Sequence, residues 1–206
     1  MNKPSQESRG IWEWDLVKLI VGLSVFLFVG LYLIGGLTEA STREAIRWSA
    51  RISVSMFCLA FAASSIHYFT KNSFSFWIMM NRKYWGISFA IVHLIHLAFL
   101  GILQYFFHPV FTLADSISLL AGGMAYLFLV LMLLTSFEAF AAKLSRRNWR
   151  LLHLIGGYWI WIIFANSYWG NVLVNEIYSY LPLALMILIT LILRLLKRIS
   201  EYRLKG

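Results

Sequence analysis

Long apolar stretches separated by short polar connections dominate the pattern of hydrophobic and polar positions along this chain. A helix needs about 20 mostly apolar residues to cross the hydrocarbon core of a bilayer. Six stretches have this character: residues 15–36, 48–69, 84–107, 113–140, 150–170 and 177–197. They predict an all-α membrane protein whose six transmembrane helices form one bundle over residues 15–198. Residues 1–14 are then a polar N-terminal tail, and residues 199–206 are a basic C-terminal tail.

Lysine and arginine are concentrated in alternate connections between the predicted spans. They flank the second connection, fill the fourth and continue into the C-terminal tail: Lys71, Arg82, Lys83, Lys143, Arg146, Arg147, Arg150, Arg194, Lys197, Arg198, Arg203 and Lys205. The third connection has no basic residue, and the fifth carries only Glu176. Because basic loops stay on the cytoplasmic side, the pattern predicts that both termini are cytoplasmic.

Composition agrees with a membrane protein and narrows the possible functions. Of 206 residues, 60% are hydrophobic and 13% are charged, whereas a soluble domain is about half apolar and about a quarter charged. The net charge of +9 arises from clusters between apolar stretches, so it indicates topology rather than nucleic-acid binding. The single cysteine, Cys58, excludes a disulfide within the chain. The first apolar stretch is longer than a signal-peptide core, and we expect it to be retained.

Four of the five histidines lie inside predicted spans. An ionisable side chain in a bilayer is costly and therefore indicates a functional site. At about 1.5 Å per residue, the distance from Lys83 places His96 roughly 20 Å from the inner boundary, with His93 about one turn lower. The same count places His67 and His153 roughly 5 to 6 Å from that boundary. The sequence therefore predicts two levels of histidines, while His108 falls in the outer loop.

Buried histidines at one level on facing helices are what a b-type haem requires. Neutral imidazole supplies the axial nitrogen, and apolar aromatic walls exclude water from the macrocycle. Because the two levels differ by about 10–15 Å, neither His93 nor His96 is expected to bind the same iron as His153. Stacked levels would also carry electrons across the membrane in steps. The alternative for each histidine is a hydrogen-bonded packing role.

Other features have simpler interpretations. Asp115 and Glu138 lie near the ends of the fourth span, where a carboxylate reaches interfacial water, and a proton-transfer role is the less favoured interpretation. The pairs Gly122–Gly123 and Gly156–Gly157 predict close helix packing. The second pair follows His153 by about one turn, where a missing side chain could admit a porphyrin. The basic clusters are interpreted as topology anchors, although arginines at the boundary could pair with haem propionates.

Two segments of the chain resemble a known family. The segment 82–96 begins Arg-Lys-x-x-Gly and ends at His96, ten residues after the glycine. It resembles the third-helix motif of ferric-reductase-like transmembrane domains. The segment 149–153 reads Trp-x-x-x-His, follows Leu-Thr-Ser at 134–136, and resembles the entry to the fifth helix of that family. The resemblance covers about residues 45–170 and is closest to the haem-binding membrane subunits of bacterial methionine sulfoxide reductase systems.

The resemblance implies a six-helix domain in a bacterial inner membrane, with His96 and His153 at haem-ligand positions. The chain departs from the family at one position. A second fifth-helix histidine is expected thirteen residues after the first, and here that position is Asn166. By depth, Asn166 lies at the level of His96, where an asparagine is a poor iron ligand and a good hydrogen-bond partner.

Three accounts of haem binding follow from this departure. In the first, the protein keeps one inner haem, ligated by His67 and His153. In the second, an outer haem is held by His93 or His96 together with a weaker partner such as Met56. In the third, haem binding has been lost. The expected cofactor is therefore haem b, with one group or two.

The favoured function is a haem b membrane subunit that transfers electrons, and thus a possible oxidoreductase subunit. Electrons would come from quinol or a flavoprotein and pass to an acceptor at the outer face, such as a periplasmic protein. No glycine-rich nucleotide fingerprint occurs in the chain, and no catalytic side chain is nominated. The alternative is a haem-free membrane module that holds or assembles a partner protein. A proton- or ion-coupled transporter using His93, His96 and Asp115 is less favoured, since interrupted helices are lacking.

Overall fold

The computed structural model describes residues 12–109 and 113–204, together with the side chains of all of these except 113–119. The described residues are almost entirely helical, and none belongs to a β-strand, which confirms the all-α prediction. A single 3₁₀ turn at Tyr178–Tyr180 precedes the last helix. The α-helices are α1 (Trp14–Gly35), α2 (Glu39–Thr70), α3 (Ser73–Met80), α4 (Arg82–Phe107), α5 (Leu113–Leu134), α6 (Glu138–Ala141), α7 (Arg146–Leu173) and α8 (Leu181–Arg203).

Four helical segments of the described chain are long and apolar enough to cross a membrane: α1, α2, α4 and the segment Tyr178–Arg203 that contains α8. This confirms a membrane protein by length and composition. The described part of α5 adds a shorter apolar segment, Leu120–Leu134. Helix α7 has 28 residues but is less hydrophobic, with a mean close to that of α8. The two helices that complete the six predicted spans are therefore α5 and α7.

Capping residues set helix ends that hydrophobicity alone does not predict. The second span is predicted from residue 48, whereas α2 begins at Glu39. The Thr38 side chain accepts a hydrogen bond from the Ser41 amide at the start of α2, and the extra turns carry ion pairs such as Arg43–Glu39 at 2.7 Å. A capped turn with charge pairs on one face stays helical beyond the apolar stretch.

Two short helices in the cytoplasmic-type connections were not predicted. The first is α3, which begins with a capping box in which the Asn72 side chain accepts from the Ser75 amide. Helix α3 folds back along the end of α2 and contacts it through Ser75. The second is α6, a single turn between α5 and α7. Both lie near the basic ends of the long helices and shape the site described below.

Helix α2 is the central helix of the bundle. It packs along α4, and it also contacts α1, α3 and α8. Small side chains on α2, including Ala45, Ala62 and Ala63, are fully buried and permit this close approach. Next to them, the rings of Phe57, Phe61, Phe89 and Phe164 pack edge-on or stacked with centroids 5.2–6.0 Å apart. This aromatic core joins α2, α4 and α7.

A glycine contact holds α5 against α7. A Cβ atom added at Gly156 would lie 2.7 Å from Met132 Sδ and 3.2 Å from the Phe128 side chain. The prediction of close packing is therefore confirmed at Gly156. It is wrong at Gly122 and Gly123, where an added Cβ meets nothing within 4 Å among the described side chains.

We expect Gly156→Leu to destabilise the bundle, because the new side chain must displace Met132 and Phe128. Overpacking of this kind costs about 1–3 kcal/mol, which corresponds to a fall in melting temperature of about 2–12 °C for a chain of this size. Thermal unfolding of the purified protein in detergent measures the change. Gly101→Leu is the control, since its Cβ meets nothing within 4 Å, and an equal loss in both variants would contradict the packing argument.

Candidate functional site

A cavity of about 840 Å³ lies between α2, α4, α5, α6, α7 and α8, at the end of the bundle where α4 and α7 begin. Its size is within the range of cofactor sites. The walls are mainly apolar and include two glycines: Phe57, Ala60, Phe61, Gly86, Phe89, Ala90, Leu129, Met132, Leu133, Ala141, Leu154, Gly157 and Ile160. The polar lining is confined to a few side chains from the ends of α4, α5, α7 and α8. The arrangement suits a large apolar ligand with a few charged groups.

His153 is the histidine that lines this cavity within the described part of the chain. Its Nε2 lies 3.1 Å from Thr135 Oγ1, and the Thr135 hydroxyl donates to the Leu131 carbonyl at 2.7 Å. The hydroxyl hydrogen is thus committed to the helix, so the imidazole Nε2–H donates to Oγ1 and Nδ1 keeps its lone pair. A neutral imidazole of this kind is a ligand for iron or another metal.

Trp149 fixes the orientation of the His153 ring. The two rings stack with centroids 4.2 Å apart and an interplanar angle of 28°. The Trp149 indole N–H also donates to the Thr135 carbonyl at 3.0 Å. Thr135 therefore holds both rings, one through its hydroxyl and one through its backbone. An imidazole fixed from two sides is preorganised to bind a ligand in one orientation.

Four basic side chains line the cavity: Arg82, Lys83, Arg150 and Arg194. Glu138 is the carboxylate in the same lining, as close to the cavity as the sequence analysis placed it to the end of its span. The excess of positive charge beside an apolar wall favours a ligand that is itself anionic. Arg194, on α8, is a lining residue that sequence reasoning missed, because its number in the chain gives no sign that α8 returns to the start of α4.

His67 does not line the cavity. Its Nδ1 lies 3.0 Å from Ser75 Oγ, and its ring packs edge-on against Phe76 of α3. The first residue of α4, Arg82, bonds to the carbonyl of Ala60, so α4 begins beside Ala60 and His67 lies about 10 Å further along α2. The depth count assumed that α2 ends where α4 begins, and the structure does not bring His67 and His153 together.

His93 and His96 face α2 at a different height from the cavity. His93 Nδ1 lies 3.0 Å from Ser53 Oγ. His96 Nδ1 lies 3.0 Å from Ser49 Oγ and 3.1 Å from the Ile46 carbonyl. Both serines donate their own hydroxyl hydrogens to carbonyls of α2. Each imidazole therefore donates from Nδ1 and keeps a lone pair on Nε2.

The rings at this level form a stack. His93 and His96 are nearly parallel, with centroids 5.0 Å apart and an interplanar angle of 8°. Tyr126 of α5 stacks on the other side of His93 at 4.9 Å. Asn166 is exposed, so the partners of His96 come from α2. Met56 packs against the apolar core.

The remaining predicted positions can be placed briefly. His108 ends α4 with a φ of 44°, in the loop where the sequence analysis put it. The side chain of Asp115 lies outside the described residues. No group of three or more His, Cys, Asp or Glu side chains in the described ranges could hold a metal ion. The chemistry available in the cavity is therefore that of one imidazole with apolar and basic walls, which suits a prosthetic group better than a bare ion.

Comparison with known proteins gives no relative: no family model, no curated protein and no solved structure matches this chain. The resemblance to ferric-reductase-like domains therefore rests on the residues themselves. Of the two ligand positions that the resemblance implies, His153 lines the cavity, and His96 lies at the other level, bonded to Ser49.

Removing Ser53 should destabilise the protein more than removing Ser49. In Ser53→Ala the His93 N–H loses the acceptor that the structure gives it, and a buried donor without a partner costs about 1–3 kcal/mol. In Ser49→Ala the His96 N–H keeps the Ile46 carbonyl at 3.1 Å. Both serines are fully buried, so the two variants create similar cavities. Thermal unfolding in detergent compares them, and equal losses would contradict the assigned bonds.

Proposed function

We propose that this chain is a membrane subunit that transfers electrons through a b-type haem held in the cavity by His153. The observation that carries the proposal is the fixed, neutral imidazole of His153 in the wall of a cavity of about 840 Å³. An axial nitrogen, apolar walls and an enclosed volume are the features that the protein must supply to a haem.

The residues around the cavity fit this group. At Gly86 an added Cβ would meet nothing within 4 Å, and at Gly157 it would meet only the edge of Phe61 at 3.7 Å. Glycines here leave flat open wall beside His153, as a macrocycle requires. Phe57 and Phe89 supply further aromatic wall, and the basic lining residues match the two carboxylates that a haem carries.

When bound, the haem supplies one-electron chemistry at its iron. The chain supplies the conditions for it. His153 provides the axial nitrogen, while Thr135 and Trp149 hold the ring orientation. The phenylalanine and leucine walls exclude water, which together with the axial ligand sets the potential of a buried haem. The possible enzymatic role is thus that of an oxidoreductase subunit without a catalytic side chain of its own.

The direction of transfer follows from the proposed orientation. Arg82, Lys83 and Arg150 line the cavity end of the bundle, and the positive-inside rule assigns basic ends to the cytoplasm. We propose that electrons enter there, from quinol or a flavoprotein, and leave toward an acceptor at the outer face. The level of His93 and His96 lies along this direction. Their Nε2 lone pairs support it as the position of a second haem.

The proposal includes six spans and two cytoplasmic termini in a bacterial inner membrane. Six helices of the described chain have 22 or more residues, enough to cross the hydrocarbon core. The α6–α7 connection is basic, as is the end of α8. An even number of spans with basic residues at alternate ends supports the same side for both termini.

His153→Ala is expected to remove the cavity haem, because the iron loses its axial nitrogen. A reduced-minus-oxidised spectrum of the purified protein and the haem content per chain measure the loss. The control is His67→Ala, which should keep the haem since its ring faces α3. His96→Ala separately reports a haem at the second level.

The haem proposal has clear contrary outcomes. Absence of haem bands after expression with ample haem would remove it and leave the haem-free, partner-holding module. An unchanged spectrum in His153→Ala would move the haem away from this cavity. Loss of haem in His67→Ala with a native melting temperature would restore the pair His67 and His153.

Topology can be tested with single cysteines in a Cys58→Ala background. We expect Gly206→Cys to react with a membrane-impermeant maleimide only after the cells are permeabilised, and His108→Cys to react in intact cells. The expectation follows from the basic residues beside the first position and their absence from the connection that contains the second. Reaction of both cysteines in intact cells would contradict an even number of spans.

A further inference from the structure

Two arginines in the cavity wall reach one turn of α2 from different helices. Arg82, on α4, donates from Nε to the Ala60 carbonyl at 3.1 Å. Arg194, on α8, donates from Nη1 to the Phe61 carbonyl at 2.7 Å. These carbonyls belong to consecutive residues, and the two positive charges repel each other. Both side chains line the cavity.

Aromatic contacts fix the Arg194 guanidinium. Its central carbon lies 4.1 Å from the centroid of the Phe61 ring and 5.2 Å from that of Tyr158. Cation–π contacts at these distances hold the plane of the guanidinium. Each guanidinium carries five N–H donors, and the bond to α2 uses one nitrogen of each. Most donors of Arg82 and Arg194 are therefore available to a ligand.

The other cations on these helices show a different pattern. Arg43 pairs with Glu39, Arg47 pairs with Glu44, and Lys197 lies 3.6 Å from Glu201. Each of these pairs lies on a single helix, so a carboxylate comes with the cation.

Arg82 and Arg194 have no carboxylate within ion-pair distance in the part of the chain that the structure describes. Placing two like charges beside an apolar cavity is unfavourable unless an anion neutralises them. The cavity itself is the space next to both side chains. The missing negative charge is therefore expected to come from the ligand.

We propose that Arg82 and Arg194 form an anion site that binds the carboxylates of the cavity ligand. The inference rests on the proposed function, in which that ligand is a haem and the carboxylates are its two propionates. It also orients the group: the propionate edge faces the wall formed by α2, α4 and α8, while the axial nitrogen comes from His153 on α7. Arg82 and Arg194 act as positioning residues.

Haemin and haemin dimethyl ester separate the anion site from iron ligation. The full-length chain, expressed without added haem precursor and purified in detergent, is titrated with each compound and followed by absorbance. The wild type should bind haemin about tenfold or more tightly than the ester, the value expected when charged hydrogen bonds are lost. Arg82→Gln and Arg194→Gln should each reduce this preference, and the double variant should abolish it. His153→Ala should weaken both compounds equally.

Two matched controls test the alternative position for the propionates. Lys83→Gln and Arg150→Gln also remove a cation from the cavity lining, yet neither residue bonds to α2. They should keep the preference for haemin. If they lose it while the two arginine variants keep it, the carboxylates lie at the other side of the cavity and the proposal is overturned.

The outcomes distinguish this inference from the proposed function. If the wild type binds neither compound, the haem function fails. If it binds both with equal affinity, the haem function stands and the anion site is rejected. Because this comparison uses the wild type, it holds even if an arginine variant does not fold.

Discussion

Hydrogen bonds between imidazoles and hydroxyl groups organise this bundle. A ring N–H within hydrocarbon needs an acceptor, and water cannot provide one. Four histidines in long helices find theirs on serine or threonine: His67 on Ser75, His93 on Ser53, His96 on Ser49 and His153 on Thr135. At Ser49, Ser53 and Thr135 the hydroxyl passes its own hydrogen to a helix carbonyl. Each of these bonds ties two helices together and fixes a tautomer, so the packing of the bundle and the chemistry of its rings have one cause.

The same type of bond has different consequences at the two levels. At His153 it leaves one face of the site open to a cavity with basic residues in its lining. At His93 and His96 it draws the rings against α2, where they stack with Tyr126. The difference arises from the neighbours: glycines and short helices surround the first level, and close α2–α4 packing surrounds the second. A bundle of similar helices thereby contains one roomy level and one filled level.

The sequence predicted the six long helices because a membrane imposes a length and a hydropathy on each. It predicted His153 as a site residue for the same reason, since an imidazole in hydrocarbon is rare. It did not predict the start of α2 at Glu39, because capping by Thr38 and ion pairing extend a helix beyond its apolar part. The position of His67 failed for a related reason: α3 folds back along α2, and counting residues cannot detect that. The capping box at Asn72 was the available signal.

Arg194 shows the other limit of sequence reasoning, since its partners on α2 are 133 residues away. The contacts of Arg82 and Arg194 have a mechanical consequence. They brace α4 and α8 against adjacent peptide groups of α2, while Gly156 fastens α5 to α7. The bundle thus consists of two stiff halves with the cavity along the seam. Any widening that admits a large planar guest comes from the α5–α7 pair swinging as one leaf of a hinge against a fixed frame.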